Sequence, residues 1–83
     1  MFWTYILENL DGKFYIGHTE DLTRRIQIHN DPNEPGTRFT PKNGPWNLVW
    51  SEEHPTRACA MARERQIKRM KSAKWIREVL LSG

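Results

Sequence analysis

Hydrophobic residues in this 83-residue chain fall into segments whose patterns are strand-like or helix-like. Residues 2–9 are rich in aromatic and β-branched side chains, which are typical of a strand. An Asp-Gly pair within residues 10–13 predicts a hairpin turn, so residues 13–17 are interpreted as the returning strand. We expect Gly17 to end that strand and to let the chain turn sharply there. Residues 46–53 predict a third strand.

Three helices are predicted around these strands. The first should begin near Thr19 or Asp21, because either side chain can accept hydrogen bonds from the free amides of a first turn. Leu22 and Ile26 are spaced i, i+4 and would form its buried stripe. Asn30 should lie near its end, before a proline-rich segment.

The second helix is predicted over residues 57–70, with Thr56 as its N-cap. A break near residues 71–72 separates it from a short last helix over residues 73–81. The side chains expected to pack inward from these two helices are Ala60, Met61, Ile67, Trp75, Ile76, Val79 and Leu80.

Residues 31–45 hold four of the five prolines and predict a long loop. Loops of that length in small domains are often functional. The whole pattern predicts one α/β domain of the α+β type over residues 1–83. Its element order would be β-β-α-β-α-α, with a small three-stranded antiparallel sheet flanked by helices.

The composition is that of a folded protein. Although only 37% of residues are hydrophobic, four tryptophans, three phenylalanines and two tyrosines supply the bulk that disordered chains lack. Cys59 is the single cysteine, which rules out an internal disulfide and a cysteine-based zinc site. We expect a cytoplasmic protein, since no apolar run is long enough to span a membrane and no signal peptide is evident.

The charge is unevenly distributed along the chain. The net charge is only +3, yet eight basic residues between Arg57 and Arg77 are accompanied by one acid, Glu64. The first 21 residues carry four acids against Lys13 alone. A basic half suggests a polyanionic partner, most commonly nucleic acid, and a solvated helix face explains the charges equally well.

Glu64 and Arg25 are the first candidates for chemistry. Glu64 borders the apolar stripe of its helix, where an unpaired charge would be costly. An ion pair with Lys68 at i+4 would explain it, and so would a role as a Mg²⁺ ligand alongside waters and a substrate phosphate. Arg25 shares a helix face with His29, and its guanidinium can bind a phosphate through two hydrogen bonds.

Other polar residues are ambiguous when taken singly. Tyr5 and Tyr15 lie on the two strands of the predicted hairpin, where paired tyrosines more often pack than react. His18 and His29 could be ligands or bases, although single histidines are usually neither. No catalytic Ser-His-Asp arrangement, glycine-rich phosphate loop or HExxH motif is present.

Four motifs, taken together in their order along the chain, are more specific than any of these residues taken singly. They are "TYI" at 4–6, "YIG" at 15–17, "DLTRRIQIHN" at 21–30 and "PTRACAMARERQIKRM" at 55–70. The chain resembles the GIY-YIG nuclease domain over nearly its whole length. It is most similar to the small stand-alone bacterial members related to the N-terminal domain of the UvrC repair nuclease.

The resemblance implies a metal-dependent endonuclease that hydrolyses phosphodiester bonds in DNA, in repair or recombination, with RNA not excluded. The implied catalytic residues are Tyr5, Tyr15, Arg25, His29 and Glu64. Glu64 would bind one Mg²⁺ or Mn²⁺, Arg25 would clamp the phosphate, and Tyr15 would act as general base or orient the water. The expected nucleic-acid contacts are Gly17, His18, Arg24, Lys68, Lys71 and Lys74. The protein would be a monomer or a weak dimer.

Two departures from the family pattern keep alternatives open. Thr4 stands where the first motif has its glycine, and no asparagine follows Glu64, with Lys74 as the nearest polar substitute. The main alternative is therefore a nucleic-acid-binding module on the same fold that does not cleave. A structural or protein-interaction domain is the third interpretation, but it leaves the polar residues unexplained.

Overall fold

The computed structural model of the protein describes residues 1–30, 45–70 and 72–81. Its strands are β1 (Phe2–Glu8), β2 (Phe14–Thr19) and β3 (Asn47–His54). Its helices are α1 (Leu22–Asn30), α2 (Arg57–Met70) and α3 (Ala73–Trp75), the last continuing into a π-helical turn (Ile76–Leu80). The strands form one antiparallel sheet in the order β2-β1-β3. The predicted fold class and element order are confirmed.

A tight turn joins β1 to β2. Gly12 has a φ of 79°, a conformation that glycine adopts without steric cost. The side chain of Asn9 accepts hydrogen bonds from the backbone amides of Asp11 (3.0 Å) and Lys13 (2.8 Å). The Asp-Gly turn signal is therefore confirmed, and Asn9 holds it closed.

Gly17 does not end β2, so that prediction is wrong. The strand continues to Thr19, and Gly17 pairs with Tyr5 in the middle of the ladder. A β-carbon at Gly17 would lie 2.7 Å from the Tyr5 hydroxyl oxygen and 2.9 Å from Cζ of the same ring. Gly17 is therefore required because the Tyr5 side chain lies so close to the backbone of β2 that any β-carbon at this position would clash with it. The chain turns after Thr19, and Asp21 caps α1 by accepting from the amide of Arg24 (3.1 Å).

Helices cover both faces of the sheet, and the side chains of β1 alternate between these two faces. Tyr5 and Leu7 project to one face and pack with Trp46, Leu22 and Ile26, so α1 covers this side. Ile6 projects to the other face and packs against α2 and the C-terminal helical segment through Ile67 and Ile76. No helix in these described residues is long and apolar enough to cross a membrane.

Two residues predicted to pack inward are exposed. Ala60 and Ile67 are buried on α2 as expected, whereas Met61 is 39% exposed. Met61 is displaced by about 100° from Ala60 around the helix, which turns it away from the sheet. Val79 is 56% exposed because the last turn is π-helical, closed by a bond from the Leu81 amide to the Ile76 carbonyl (3.0 Å), which changes the spacing of its faces.

Asn30 joins the end of α1 to the start of β3. Its side-chain oxygen accepts from the Trp46 amide (2.7 Å), and its side-chain nitrogen donates to the Trp46 carbonyl (3.0 Å). Trp46 is buried, so these two hydrogen bonds fix the start of β3 against the core. Residues 31–44 of the predicted loop lie outside the described part of the chain.

Candidate active site

A cleft of about 170 Å³ lies at the free edge of β2. Its lining residues are Tyr5, Tyr15, Ile16, Gly17, His18, Arg25, Glu64 and Lys68. Side chains from both faces of the sheet meet here. Tyr5 reaches the edge across Gly17, and His18 reaches it from the α2 face. The cleft therefore combines groups from β1, β2, α1 and α2.

Tyr5, Tyr15 and His29 form an aromatic cluster on the α1 side. Tyr5 pairs with Gly17 and Tyr15 with Leu7, so the two tyrosines are diagonal neighbours, with ring centroids 6.4 Å apart. The Tyr5 hydroxyl lies 2.7 Å from Nε2 of His29, which is buried, and the Tyr15 and His29 rings are 4.5 Å apart. His29 thus supports both tyrosines from behind.

The protonation states of this cluster follow from burial. Burial raises the pKa of Tyr5 to about 12, although the neighbouring Arg25 acts to lower it. Burial, with the positive charge of Arg25, lowers the pKa of His29 to about 4. At neutral pH, His29 is uncharged and Tyr5 is protonated. The Tyr5 hydroxyl and Nε2 of His29 therefore share a hydrogen bond between two uncharged groups.

Arg25 supplies the permanent positive charge of the cleft. Burial acts to lower the pKa of Arg25, but its interactions with Tyr5 and Tyr15 outweigh this, and the pKa is raised. Arg24, by contrast, is exposed and does not line the cleft. The two neighbouring arginines differ because they project about 100° apart on α1.

Glu64 on α2 is held from two sides. Its Oε1 lies 2.6 Å from Nδ1 of His18, and its Oε2 accepts from Nζ of Lys68 at 2.8 Å. Burial acts to raise the pKa of Glu64, but the hydrogen bonds of Lys68 and His18 prevail and lower it. The carboxylate is therefore ionised at neutral pH. The predicted Lys68 ion pair is confirmed.

His18 was not predicted as a partner of Glu64. The signal available in the sequence was its neighbour: because Gly17 faces Tyr5, the next residue must project toward the other face, where α2 packs. Thr4 is a second missed residue. Its buried hydroxyl donates to the Ala60 carbonyl at 2.8 Å and anchors the turn of α2 that precedes Glu64.

The donor set fits a hard cation with one protein ligand. Among the described residues, no group of three His, Cys, Asp or Glu side chains could hold a metal ion. One ionised carboxylate facing a polar cleft is nevertheless a common Mg²⁺ arrangement, since waters and substrate phosphate complete the shell. Lys68 is half exposed and can release Oε2 to a cation. Glu64 is therefore the residue that could bind the ion.

Not all predicted nucleic-acid contacts lie in the cleft. Gly17, His18 and Lys68 line it. Lys74 lies on α3, where its side chain is 81% exposed and 4.0 Å from Glu78, and it does not line the cleft. It therefore does not replace the missing asparagine there. Lys71 lies outside the described residues.

Comparison with known proteins accounts for this combination of fold and cleft. The GIY-YIG catalytic domain matches residues 1–77. The chain belongs to the GIY-YIG family. Family membership implies a nuclease-type function and a nucleic-acid substrate, and GIY-YIG nucleases generally use divalent metal ions.

The relatives of this GIY-YIG domain include small bacterial proteins. It is 36% identical over 69 residues to a UPF0213 protein of Streptococcus pneumoniae, covering 83% of this chain and 68% of that one. It is 36% identical over 81 residues to the UPF0213 protein BH0048 of Halalkalibacterium halodurans, covering 98% and 84%. The solution structure of BH0048 superposes with a TM-score of 0.58, covering 100% of this chain and 87% of that one.

Proposed function

We propose that this GIY-YIG domain is a metal-dependent endonuclease that hydrolyses phosphodiester bonds in DNA, in repair or recombination. The observation that carries the proposal is the meeting of Arg25, Glu64 and two tyrosines in one cleft. Such a cleft combines a fixed cation, an ionised carboxylate and phenolic groups. Phosphodiester hydrolysis needs charge stabilisation at the phosphoryl oxygens and an oriented water.

Arg25 binds the scissile phosphate. Its guanidinium stays charged at every working pH and offers donors that match two phosphoryl oxygens. The neighbouring tyrosines hold it at the cleft wall. Charge that develops on the phosphoryl oxygens therefore meets a preorganised cation.

Tyr15 orients the attacking water, and Tyr5 has a different task. Because its pKa is raised to about 12, Tyr5 is a poor general base. Its hydroxyl is hydrogen-bonded to Nε2 of His29, and its phenolic oxygen accepts from Arg25. Tyr5 and His29 therefore position Arg25 and Tyr15, and Tyr15 is the phenol assigned to the water.

Glu64 would hold one Mg²⁺ or Mn²⁺ through its carboxylate, with His18 keeping Oε1 in place. When bound, the ion supplies Lewis-acid stabilisation of the phosphate and the leaving oxygen. Lys68, released from Oε2, can then contact the substrate backbone.

Replacing Glu64 by Gln tests the proposal. The matched control is Glu78→Gln, since Glu78 also faces a lysine four residues away but is exposed on the C-terminal segment. Purified proteins are incubated with linear, nicked and branched DNA and Mg²⁺ or Mn²⁺. We expect cleavage by the wild type and the control, and a loss of about 10²-fold or more in Glu64→Gln. Equal inactivity of wild type and Glu64→Gln on every substrate would contradict the proposal.

A second candidate function is nucleic-acid binding without cleavage. It is favoured by the two partners that occupy both oxygens of Glu64 and by the missing asparagine. This candidate predicts salt-sensitive DNA binding, because phosphate contacts release counterions, and no products with either metal. Product formation that depends on Glu64 would reject it.

A further inference from the structure

A second cleft lies beside α2, and it shares no lining residue with the candidate active site. It has a volume of about 600 Å³. It is lined by His54 at the end of β3 and, from α2, by Cys59, Arg63, Arg65, Gln66 and Arg69. Gln66 projects about 200° around the helix from Glu64. The same helix therefore forms a wall of both clefts.

The second cleft carries three guanidinium groups, and no carboxylate is among the side chains that line it. Arg63 is fixed, since its Nη1 donates to Gln66 (2.8 Å), its Nε lies 3.2 Å from a Glu52 oxygen and it stacks on Trp50. Arg65 and Arg69 are exposed, and no carboxylate within residues 1–30, 45–70 and 72–81 forms an ion pair with either. Their charge is therefore available to an anion.

The width of α2 is compatible with a DNA duplex that contacts both sides of the helix. An α-helix with its side chains is about 10–12 Å across. The major groove of B-DNA is about 12 Å wide and admits a helix. A duplex can therefore present one backbone to the cleft at Glu64 and its second backbone to the cleft at Arg69.

We propose that this second cleft binds a phosphodiester backbone of duplex DNA, with Arg65 and Arg69 as the contacting residues. The inference rests on the proposed nuclease function and adds that the substrate is double-stranded at the site. Arg63 forms the fixed floor of the cleft, and α2 lies between the two backbones. The catalytic groups at Glu64 do not take part in this contact.

Neutralising one exposed arginine tests the inference. Arg69→Gln is compared with Lys13→Gln, which removes an exposed charge from the hairpin turn. Binding to a labelled duplex and to a single strand of the same sequence is measured without divalent ions over a range of salt concentrations. Arg65→Gln is measured in parallel as an independent second variant. Thermal unfolding of all variants should match the wild type because these side chains are exposed.

We expect Arg69→Gln and Arg65→Gln each to weaken duplex binding by about 3- to 10-fold and to lower the salt slope by about 1. Single-strand binding should stay within about 2-fold of the wild type, and Lys13→Gln should bind both DNAs normally. Unchanged duplex binding in both arginine variants, or equal losses on duplex and single strand, would overturn the inference. Cleavage is scored separately, so failure of the second cleft with intact cleavage would leave the proposed function standing.

Discussion

The close approach at Gly17 yields the most quantitative prediction, for the substitution Gly17→Ala. A new β-carbon would lie 2.7 Å from the Tyr5 hydroxyl oxygen, 2.9 Å from Tyr5 Cζ and 3.2 Å from Tyr15 Cε1. Tyr5 is only 1% exposed and is hydrogen-bonded to His29, so its ring has little room to withdraw. The substitution must therefore displace Tyr5 or bend β2.

The magnitude is a balance of two effects. Overpacking of a core by one methyl group typically costs about 1–3 kcal/mol. Alanine within a strand gains about 0.5–1 kcal/mol over glycine through the unfolded chain, and Gly17 is not in the left-handed region that would cancel this gain. We therefore expect a net loss of about 1 kcal/mol in the free energy of unfolding. That corresponds to a fall in Tm of about 4–8 °C for a domain of this size.

Urea unfolding of Gly17→Ala, Tyr5→Phe and the double variant measures this balance. Tyr5→Phe removes the 2.7 Å contact but keeps the ring, so Gly17→Ala should cost less in that background. DNA cleavage should fall in Gly17→Ala because displaced Tyr5 no longer supports Arg25. A variant at least as stable as the wild type would refute the reasoning, since the close contact would then carry no cost.

Three further outcomes follow from the geometry. Folding lowers the pKa of His29 from 6.5 to about 4, so the free energy of unfolding should fall by about 2 kcal/mol from pH 7 to pH 5. Urea unfolding measures this loss, which should be smaller in His29→Phe. Thr4→Val removes the buried hydrogen bond to Ala60 and should cost about 1 kcal/mol, whereas Thr4→Ser should retain the bond. Lys68→Met frees Oε2 of Glu64 and should strengthen Mn²⁺ binding in calorimetry without DNA.

The direction of the pH dependence is set by the protonation state of His29 that the folded protein favours. The folded protein holds His29 neutral, so the unfolded chain binds more protons between pH 6.5 and 4. Stability is therefore complete above pH 6.5 and declines as the pH falls through that window. An unchanged pH dependence in His29→Phe would assign the loss to other groups.

Local signals in the sequence were sufficient for the order of the elements and for the bounds of α2. Thr56 caps α2 by accepting from the Cys59 amide (3.1 Å), and Arg57–Met70 is the helix that the pattern predicts. Periodicity also placed Arg25 on the helix face of His29, and the family resemblance then singled out Arg25 over Arg24. These features depend on neighbours within a few residues, which are visible in the sequence.

Contacts between distant segments could not be obtained in the same way. The role of Gly17 depends on the ring of Tyr5 in the paired strand, and that register is set by the hairpin as a whole. The pairing of His18 with Glu64 requires knowing which face α2 covers. Val79 was misassigned because no sequence pattern distinguishes a π-helical turn from an α-helical one.

The double hydrogen bond between Asn30 and Trp46 has a consequence for how the chain can vary. One side chain thereby holds the end of α1 against the start of β3 through two hydrogen bonds. Because Arg25 lies on the same helix as Asn30, a substitution at Asn30 would loosen the helix that brings Arg25 to the cleft.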